Sequence, residues 1–352
     1  MKELQPLDWV LLMHGCKITK VNHVITVINN LQLVTSLTLL SLQISFIAIL
    51  IWNGNLTSLV SISVITYYIP LYVYGILFVL VMRSRQRSQY KFLLQVLTRT
   101  SPERRKRLQR LSSLSAFLVV AFNVLAAASY LSAAIRYQPK GTHKKLAITT
   151  YYIDTIVSLI GRWVVISCWF SAFIVQATSY FEQTFLDQLY IDIKEQKATV
   201  PMVLTDIHQV SLLKKKAMPQ LGIVPCLVVA YLFCATAGLI AQFKHSGIVV
   251  ETVTEIIFLL CYFLSLLYVT CISDRSTRVA VRKAESIESM VLALGKEEWR
   301  QVTGPLQVMA ATHHQSCGLF TLNCKFFVDF IASLITFTAL LTQLMVGVAK
   351  EK

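Results

Sequence analysis

The chain has 352 residues, of which 55% are hydrophobic and only 14% charged, where an ordinary soluble domain carries about a quarter charged. Its formal net charge is nevertheless +15, an excess that in a soluble protein would point to nucleic acid. In a chain this apolar the excess is read against membrane topology, because cytoplasmic loops gather Lys and Arg, and nucleic acid is not an expected partner.

A membrane span needs about 20 mostly apolar residues to cross roughly 30 Å of hydrocarbon. In chain order, seven runs qualify: about 31–53, 58–82, 113–135, 148–177, 222–243, 248–273 and 325–348. The expected fold class is an all-α polytopic membrane protein of seven transmembrane helices, with residues 1–352 forming a single unit. The first 30 residues lack a basic start, a short apolar core and a small-residue cleavage site, so the first span is expected to act as its own insertion signal.

With the amino end in the cytosol, the inner segments (1–30, 83–112, 178–221 and 274–324) hold 24 Lys and Arg and the outer ones hold 7. That imbalance puts the amino end inside and the carboxyl end outside. The glycosylation sequon Asn55-Leu56-Thr57 then falls in the first outer loop. This orientation is opposite to that of a G-protein-coupled receptor. The third span also ends Ala134-Ile135-Arg136 rather than in an acidic-Arg-aromatic triplet, and no Asn-Pro-x-x-Tyr occurs in the last span.

The inner segments read as helix more than loop. Residues 178–198 continue the fourth span through Phe181, Phe185, Leu189 and Ile193, an i, i+4 ladder. After Pro201, apolar residues recur at Leu204, Ile207, Val210 and Leu213. Residues 274–296 extend the sixth span, and 299–318 read as a further helix. Extensions over about 178–221 and 274–324 are expected to pack together as an assembly bundle beneath the membrane.

Chemistry-bearing motifs are sparse. There is no Gly-rich phosphate loop, no Gly-x-Ser-x-Gly and no His-Glu-x-x-His, so the chain does not read as an enzyme and no cofactor is expected. None of the eight cysteines lies in an outer loop, which removes an extracellular disulfide framework. His313, His314, Cys317 and Cys324 form the one cluster with ligand chemistry, and on a helix His313 and Cys317 would share a face. The spacing matches no familiar zinc site, so a helix-packing seam is the preferred reading and no metal is expected.

The last span is the most informative segment. Thr336 and Gln343 lie seven residues apart on one helix face, with Ala339 and Leu340 between them. A Gln at that depth is costly without a partner or water, and an interhelical hydrogen bond would be the ordinary explanation. The run Thr336-Phe337, five residues, Gln343-Leu344 is similar to the end of the insect gustatory receptors, which carry Thr-Tyr, five hydrophobic residues and Gln-Phe in the seventh span. The preceding Gly318-Leu319-Phe320-Thr321-Leu322-Asn323 resembles the segment that leads into that span. Together with seven spans, the inside amino end and the helical extensions, the resemblance covers essentially the whole chain, with the odorant receptors as the sister possibility.

The resemblance implies a tetrameric, ligand-gated, non-selective cation channel in the plasma membrane of a sensory neuron. Four copies of the seventh helix would line the pore, with Gln343 near an outer gate, Thr336 one face-repeat below and Phe337 beside the gate. Where Phe337 replaces Tyr, a hydroxyl is lost. Partners would be a small-molecule tastant, permeant cations, membrane lipid and related subunits in a homo- or hetero-tetramer. A tastant site would lie among spans two to six, for which Tyr67, Tyr68, Tyr130, Tyr151, Tyr152, Asp154, Gln242, Glu251 and Glu255 are the outer-half candidates; as tyrosines often anchor at membrane interfaces, about half of these would do only that. Arg162, near mid-membrane, requires a partner, and Glu255 stands at similar depth. Sugar-sensing members tend to carry Glu after the Thr-Tyr pair; Thr338 stands there in this chain, which favours an apolar or bitter ligand. A secondary transporter is the rival class, although only Pro70 and Pro225 interrupt spans.

Overall fold

The computed structural model describes residues 2–13, 16, 18, 23–52, 69–136, 152, 155–156, 163–221, 224–246, 250–295, 297–316 and 320–350, some helical positions by backbone alone. Helix α1 spans Gln5–Met13, α2 His23–Trp52, α3 Ile69–Arg99, α4 Pro102–Arg136, α5 Trp163–Lys194 and α6 Val200–Leu221. Then come α7 Val224–Ser246, α8 Val250–Ala293, a 3-10 turn Glu297–Trp299, α9 Arg300–Ala311 and α10 Cys324–Lys350. Helices α2, α3, α4, α5, α7, α8 and α10 each overlap one of the seven apolar runs, α3 and α5 only in part, and the fold is that of an all-α polytopic membrane protein. Among the described residues, α4, α5, α8 and α10 contain stretches that are long and apolar enough to cross a membrane, and α7 contains the shorter apolar segment Val224–Ile240. Helix α2 is 30 residues long and carries no Asp, Glu, Lys or Arg. Residues 58–68 of the second run, and most of 148–162 in the fourth, lie outside the described residues.

Long helices run on past their apolar stretches without a break. Helix α5 runs to Lys194 and is halted where Gln196 adopts the left-handed conformation (φ 56°), with Lys197 and Ala198 donating backbone hydrogen bonds to the Asp192 carbonyl. Pro201 sits in the first turn of α6, where its missing N–H costs nothing. Helix α8 continues for 44 residues and ends before Gly295, whose φ of +64° suits glycine. The basic segment 83–112 is not a loop. Helices α3 and α4 meet at Thr100-Ser101, and Pro102 opens α4 at the position that favours proline.

Helix α5 is the central strut. Its apolar stretch is 83% buried, and α8 packs along it more extensively than any other helix pair. The expected ladder is buried at Phe181, Leu189 and Ile193, with Phe185 packed against the core. In α6, Ile207, Val210 and Leu213 are buried. The extensions of α5 and α8 pack with α6 and α9 into a basal bundle. The amino-terminal α1, not anticipated from the sequence, docks against the start of α4: Leu7 donates its backbone N–H to Ser112 Oγ at 3.1 Å, and the buried Asp8 carboxylate accepts from Ile18 N at 2.6 Å.

One expected helix is corrected. The segment 299–318 is helical only to Ala311. The backbone then turns extended at Thr312 (ψ 113°), and Gln315–Ser316 pairs antiparallel with Phe320–Thr321 as the two-residue strands β1 and β2. The reason is local satisfaction: His314 is buried and its carbonyl accepts from Leu322 N at 2.8 Å, a bond that a continuing helix would have to break. His313 therefore lies beyond the end of the helix, Cys317 lies outside the described residues, and among the described residues no group of three potential ligands could hold a metal.

Candidate functional site

Helix α10 starts where Asn323 caps it, its Oδ1 accepting from Phe326 N at 2.8 Å. Among the described residues it packs mainly against α7 and α8, and its apolar stretch is 11% buried. One face is seated: Phe330 and Leu334 are buried. The seat is a ladder of rings. Phe320 stacks on Phe326 at 4.2 Å, and Phe263 of α8 lies 5.9 Å from Phe330. Phe233 of α7 meets Phe330 edge-on at 5.4 Å and Phe337 at 5.6 Å. Edge-to-face pairs of this kind contribute about 0.5–1.5 kcal/mol beyond area burial.

The opposite face is bare. Asp329, Ser333, Thr336, Leu340 and Gln343 are all exposed and recur every three or four residues, which places them in one stripe. Ala339 is exposed beside them, with Val328 and Ile335 on the flank. The hydroxyls of the stripe are satisfied within the helix: Ser333 Oγ donates to the Asp329 carbonyl at 2.8 Å and Thr336 Oγ1 to the Ala332 carbonyl at 3.0 Å. Sequence reasoning found Thr336, Leu340 and Gln343. It missed Asp329, although its seven-residue spacing from Thr336 was the available signal.

A second constellation sits among α3, α4, α5, α7 and α8. Glu255, Phe258 and Tyr262 recur on one face of α8 and are all buried. Phe122 of α4 packs edge-on against Phe258 at 5.1 Å and lies 5.7 Å from Tyr262. Tyr231 of α7 meets Tyr262 at 5.8 Å and Tyr74 of α3 at 6.1 Å. Ser167 Oγ of α5 donates to the Val164 carbonyl at 2.7 Å, so in its contact with Ser167 the Tyr74 hydroxyl is the donor. Five helices thus converge on a predominantly aromatic cluster with a few polar groups.

Of the expected ligand residues, only Glu255 is placed in this cluster. Tyr152 is exposed. Tyr130 in α4, Gln242 in α7 and Glu251 in α8 are described by their backbone alone. Tyr67, Tyr68, Tyr151, Asp154, Arg162 and Asn55 lie outside the described residues, and so does the Arg162–Glu255 pairing. Tyr74, Tyr231 and Tyr262 escaped notice because a tyrosine inside an apolar run carries no sequence mark that separates packing from binding.

The basal bundle holds its own charged groups. Lys214 Nζ of α6 donates to Glu182 Oε1 at 2.8 Å and to the Met309 carbonyl of α9 at 2.9 Å, and both charged side chains are buried. Burial raises the Glu182 carboxyl above the usual range, against the pull of Lys214. Asp187 of α5 joins α4 and α8 through Arg104 (2.5 Å) and Lys283. Partial burial alone would raise its carboxyl, but hydrogen bonds from Lys283 and Arg104 hold it below the ordinary value. His314 Nδ1 lies 3.4 Å from Ser273 Oγ. Burial, with Lys214 and His313 nearby, pushes the His314 imidazole down to about 3.

No protein-family model matches the sequence, and no curated protein matches it either. The solved structures do. The chain superimposes on the insect olfactory receptor OR5 from Machilis hrabei with a TM-score of 0.74 at 12% identity, covering 97% of both chains. The same receptor in complex with eugenol gives 0.70 at 11% identity over the same share. The chain is a polytopic helical membrane protein, and over 97% of its length its fold is that of the olfactory receptor structure.

Proposed function

We propose that this chain is a chemoreceptor subunit of the gustatory branch, acting as a ligand-gated, non-selective cation channel in which four copies of α10 surround a central pore. The observation that carries the reading is the bare face of α10. A helix this long, packed among the described residues mainly against α7 and α8 and with its polar stripe unburied, needs a neighbour or water against the Asp329 carboxylate and the Gln343 amide. Lipid provides neither. A ring of copies provides both, water along the axis and the flanking apolar residues against the next subunit. The shared olfactory-receptor fold supports the same arrangement.

The chemistry of the stripe fits weak cation selectivity. It contains no Lys or Arg, a carboxylate at its cytosolic end, and neutral amides and hydroxyls further out. Leu340 lies one turn from Gln343, so a constriction there closes by dewetting. The basal bundle, with the buried Lys214–Glu182 pair, holds the subunits together beneath the pore. The amino end faces the cytosol, and the protein acts in the plasma membrane as a homo- or hetero-tetramer.

The ligand site in this reading is the cluster of Tyr74, Phe122, Tyr231, Glu255, Phe258 and Tyr262. Aromatic walls with a few fixed polar groups suit a small apolar or bitter compound. Eugenol, the compound in the structural relative's complex, is itself a small aromatic. Thr338, standing where sugar-sensing receptors tend to carry Glu, argues against a sugar. The odorant branch is the second reading, favoured by the olfactory identity of the structural relative; the Thr336-Phe337…Gln343-Leu344 run favours the gustatory one.

Cysteines substituted one at a time at positions 334, 336 and 343 test the pore. A membrane-impermeant thiol reagent is expected to alter ligand-evoked current at 336 and 343 and to leave 334, on the seated face, unaffected. Equal effects at all three positions would sink the pore assignment of the stripe.

A further inference from the structure

Helix α10 is tied to the rest of the subunit by more than rings. Cys324, its first residue, lies with its Sγ 3.6 Å from Sγ of Cys271 in α8. Both sulfurs belong to half-buried residues and carry free thiols. The separation is van der Waals contact, and closing it to the roughly 2.05 Å of a disulfide needs only a side-chain adjustment of about 1.5 Å. Burial, with Cys271 and then the Asp274 carboxylate beside it, pushes the Cys324 thiol up to about 11; Asp274, one turn beyond Cys271, is itself held by Arg278 at 2.7 Å. The pair sits where the charged extension of α8 begins and at the first turn of α10.

We propose that Cys271 and Cys324 form an oxidation site, converted by hydroperoxide into a disulfide that clamps the base of α10 to α8. The balance is simple. One thiol gives up its proton, the thiolate attacks a peroxide oxygen and becomes a sulfenic acid, and the O–O bond breaks to release hydroxide, which takes up that proton as water. The second thiol then attacks that sulfur, the S–O bond breaks, and a second water leaves. Two thiols and one hydrogen peroxide thus give one disulfide and two waters, the sulfurs losing two electrons to the peroxide oxygens. In a glutathione-reduced cytosol such a bond is transient, which suits a switch rather than a strut.

The position gives the bond a consequence, which rests on the pore reading above. Helix α10 has few other holds, so a covalent tie at its first turn restricts any tilt or rotation that opening requires. Oxidation is expected to lower ligand-evoked current several-fold, with recovery on adding a dithiol.

The test takes the full-length protein in two arms. In the first, purified protein is treated with hydrogen peroxide, and non-reduced peptides are mapped by mass spectrometry. The expected product is the Cys271–Cys324 linked pair, absent from Cys271→Ser and from Cys324→Ser that elute as the wild type does. Oxidation of both sulfurs to separate sulfinic acids, with no linked peptide, would overturn the proposal. In the second, peroxide is perfused through the recording pipette. Loss of current in the wild type but not in Cys271→Ser supports the clamp, and equal loss in both overturns it. Absence of any current before oxidation would count against the pore reading instead, and the first arm would then decide the thiol chemistry alone.

Discussion

Replacing Lys214 with Met is expected to destabilise the basal bundle more than any single surface change. Lys214 is buried between Glu182 and the Met309 carbonyl, so the substitution leaves a buried carboxylate without its cation and a buried carbonyl without its donor. Breaking one side of a buried pair costs about 3–5 kcal/mol. At roughly 2.1 cal/mol/K per residue, unfolding 352 residues carries an entropy of about 0.7 kcal/mol/K, so the loss corresponds to about 4–7 °C in melting temperature. The sign of its pH dependence follows from Glu182. Its folded carboxyl is already raised by burial, and a raised carboxyl stabilises at low pH and loses that contribution as pH rises through its folded value. Removing Lys214 raises the carboxyl further, so the deficit should be smaller near pH 5, where the unpaired Met309 carbonyl is what remains of it, than near pH 8. Melting of detergent-solubilised protein, followed by tryptophan fluorescence at both pH values, reads this directly. The double change Lys214→Met with Glu182→Leu should recover most of the loss. An equal deficit at both pH values, or no recovery in the double variant, would refute the reasoning.

Other outcomes follow from the same contacts. His314, held neutral with its imidazole pushed down to about 3, contributes stability above its unfolded value near 6.5 that is lost as pH falls. Acidifying to pH 5 should therefore cost up to about 2 kcal/mol, and His314→Gln should flatten the acid limb of a melting-temperature profile. Arg104→Ala leaves Asp187 with Lys283, and because the carboxylate is 45% exposed the loss should stay within about 1 kcal/mol by the same melt. Phe233→Ala removes the ring that both Phe330 and Phe337 meet. It should speed hydrogen exchange along α10 while leaving α5 protected. Asp274→Asn removes a carboxylate from beside Cys324 and should raise the rate of maleimide alkylation there several-fold.

The sequence made the long helices legible because hydrocarbon thickness imposes a length and a composition on each span, and a run such as 248–273, in α8, satisfies both. It made the extensions legible because Phe181, Leu189 and Ile193, or Ile207 and Val210, repeat at helical spacing. It failed between Thr312 and Thr321, where a buried backbone hydrogen bond at His314, invisible in a residue pattern, ends the helix early. Helix α1 was missed because nine residues are too few for a span and too short for a strong period. On α10 the polar stripe was readable from Thr336 and Gln343, since polar groups in an apolar run stand out. The aromatic cluster was not readable, because Tyr74, Tyr231 and Tyr262 come from three helices and only tertiary packing brings them together. The contact of Cys271 with Cys324 spans 53 residues and was hidden for the same reason.

The central claim is that α10 lines a ligand-gated cation pore, and whole-cell current tests it most directly. Cells expressing the chain, with related subunits where surface assembly requires them, would be challenged with a panel of small aromatic and bitter compounds, with Gln343→Ala recorded alongside. The account predicts a ligand-evoked cation current without added G protein, whose permeation or gating changes in Gln343→Ala. Silence from protein confirmed at the surface as a tetramer, or a current indifferent to Gln343→Ala, would contradict it.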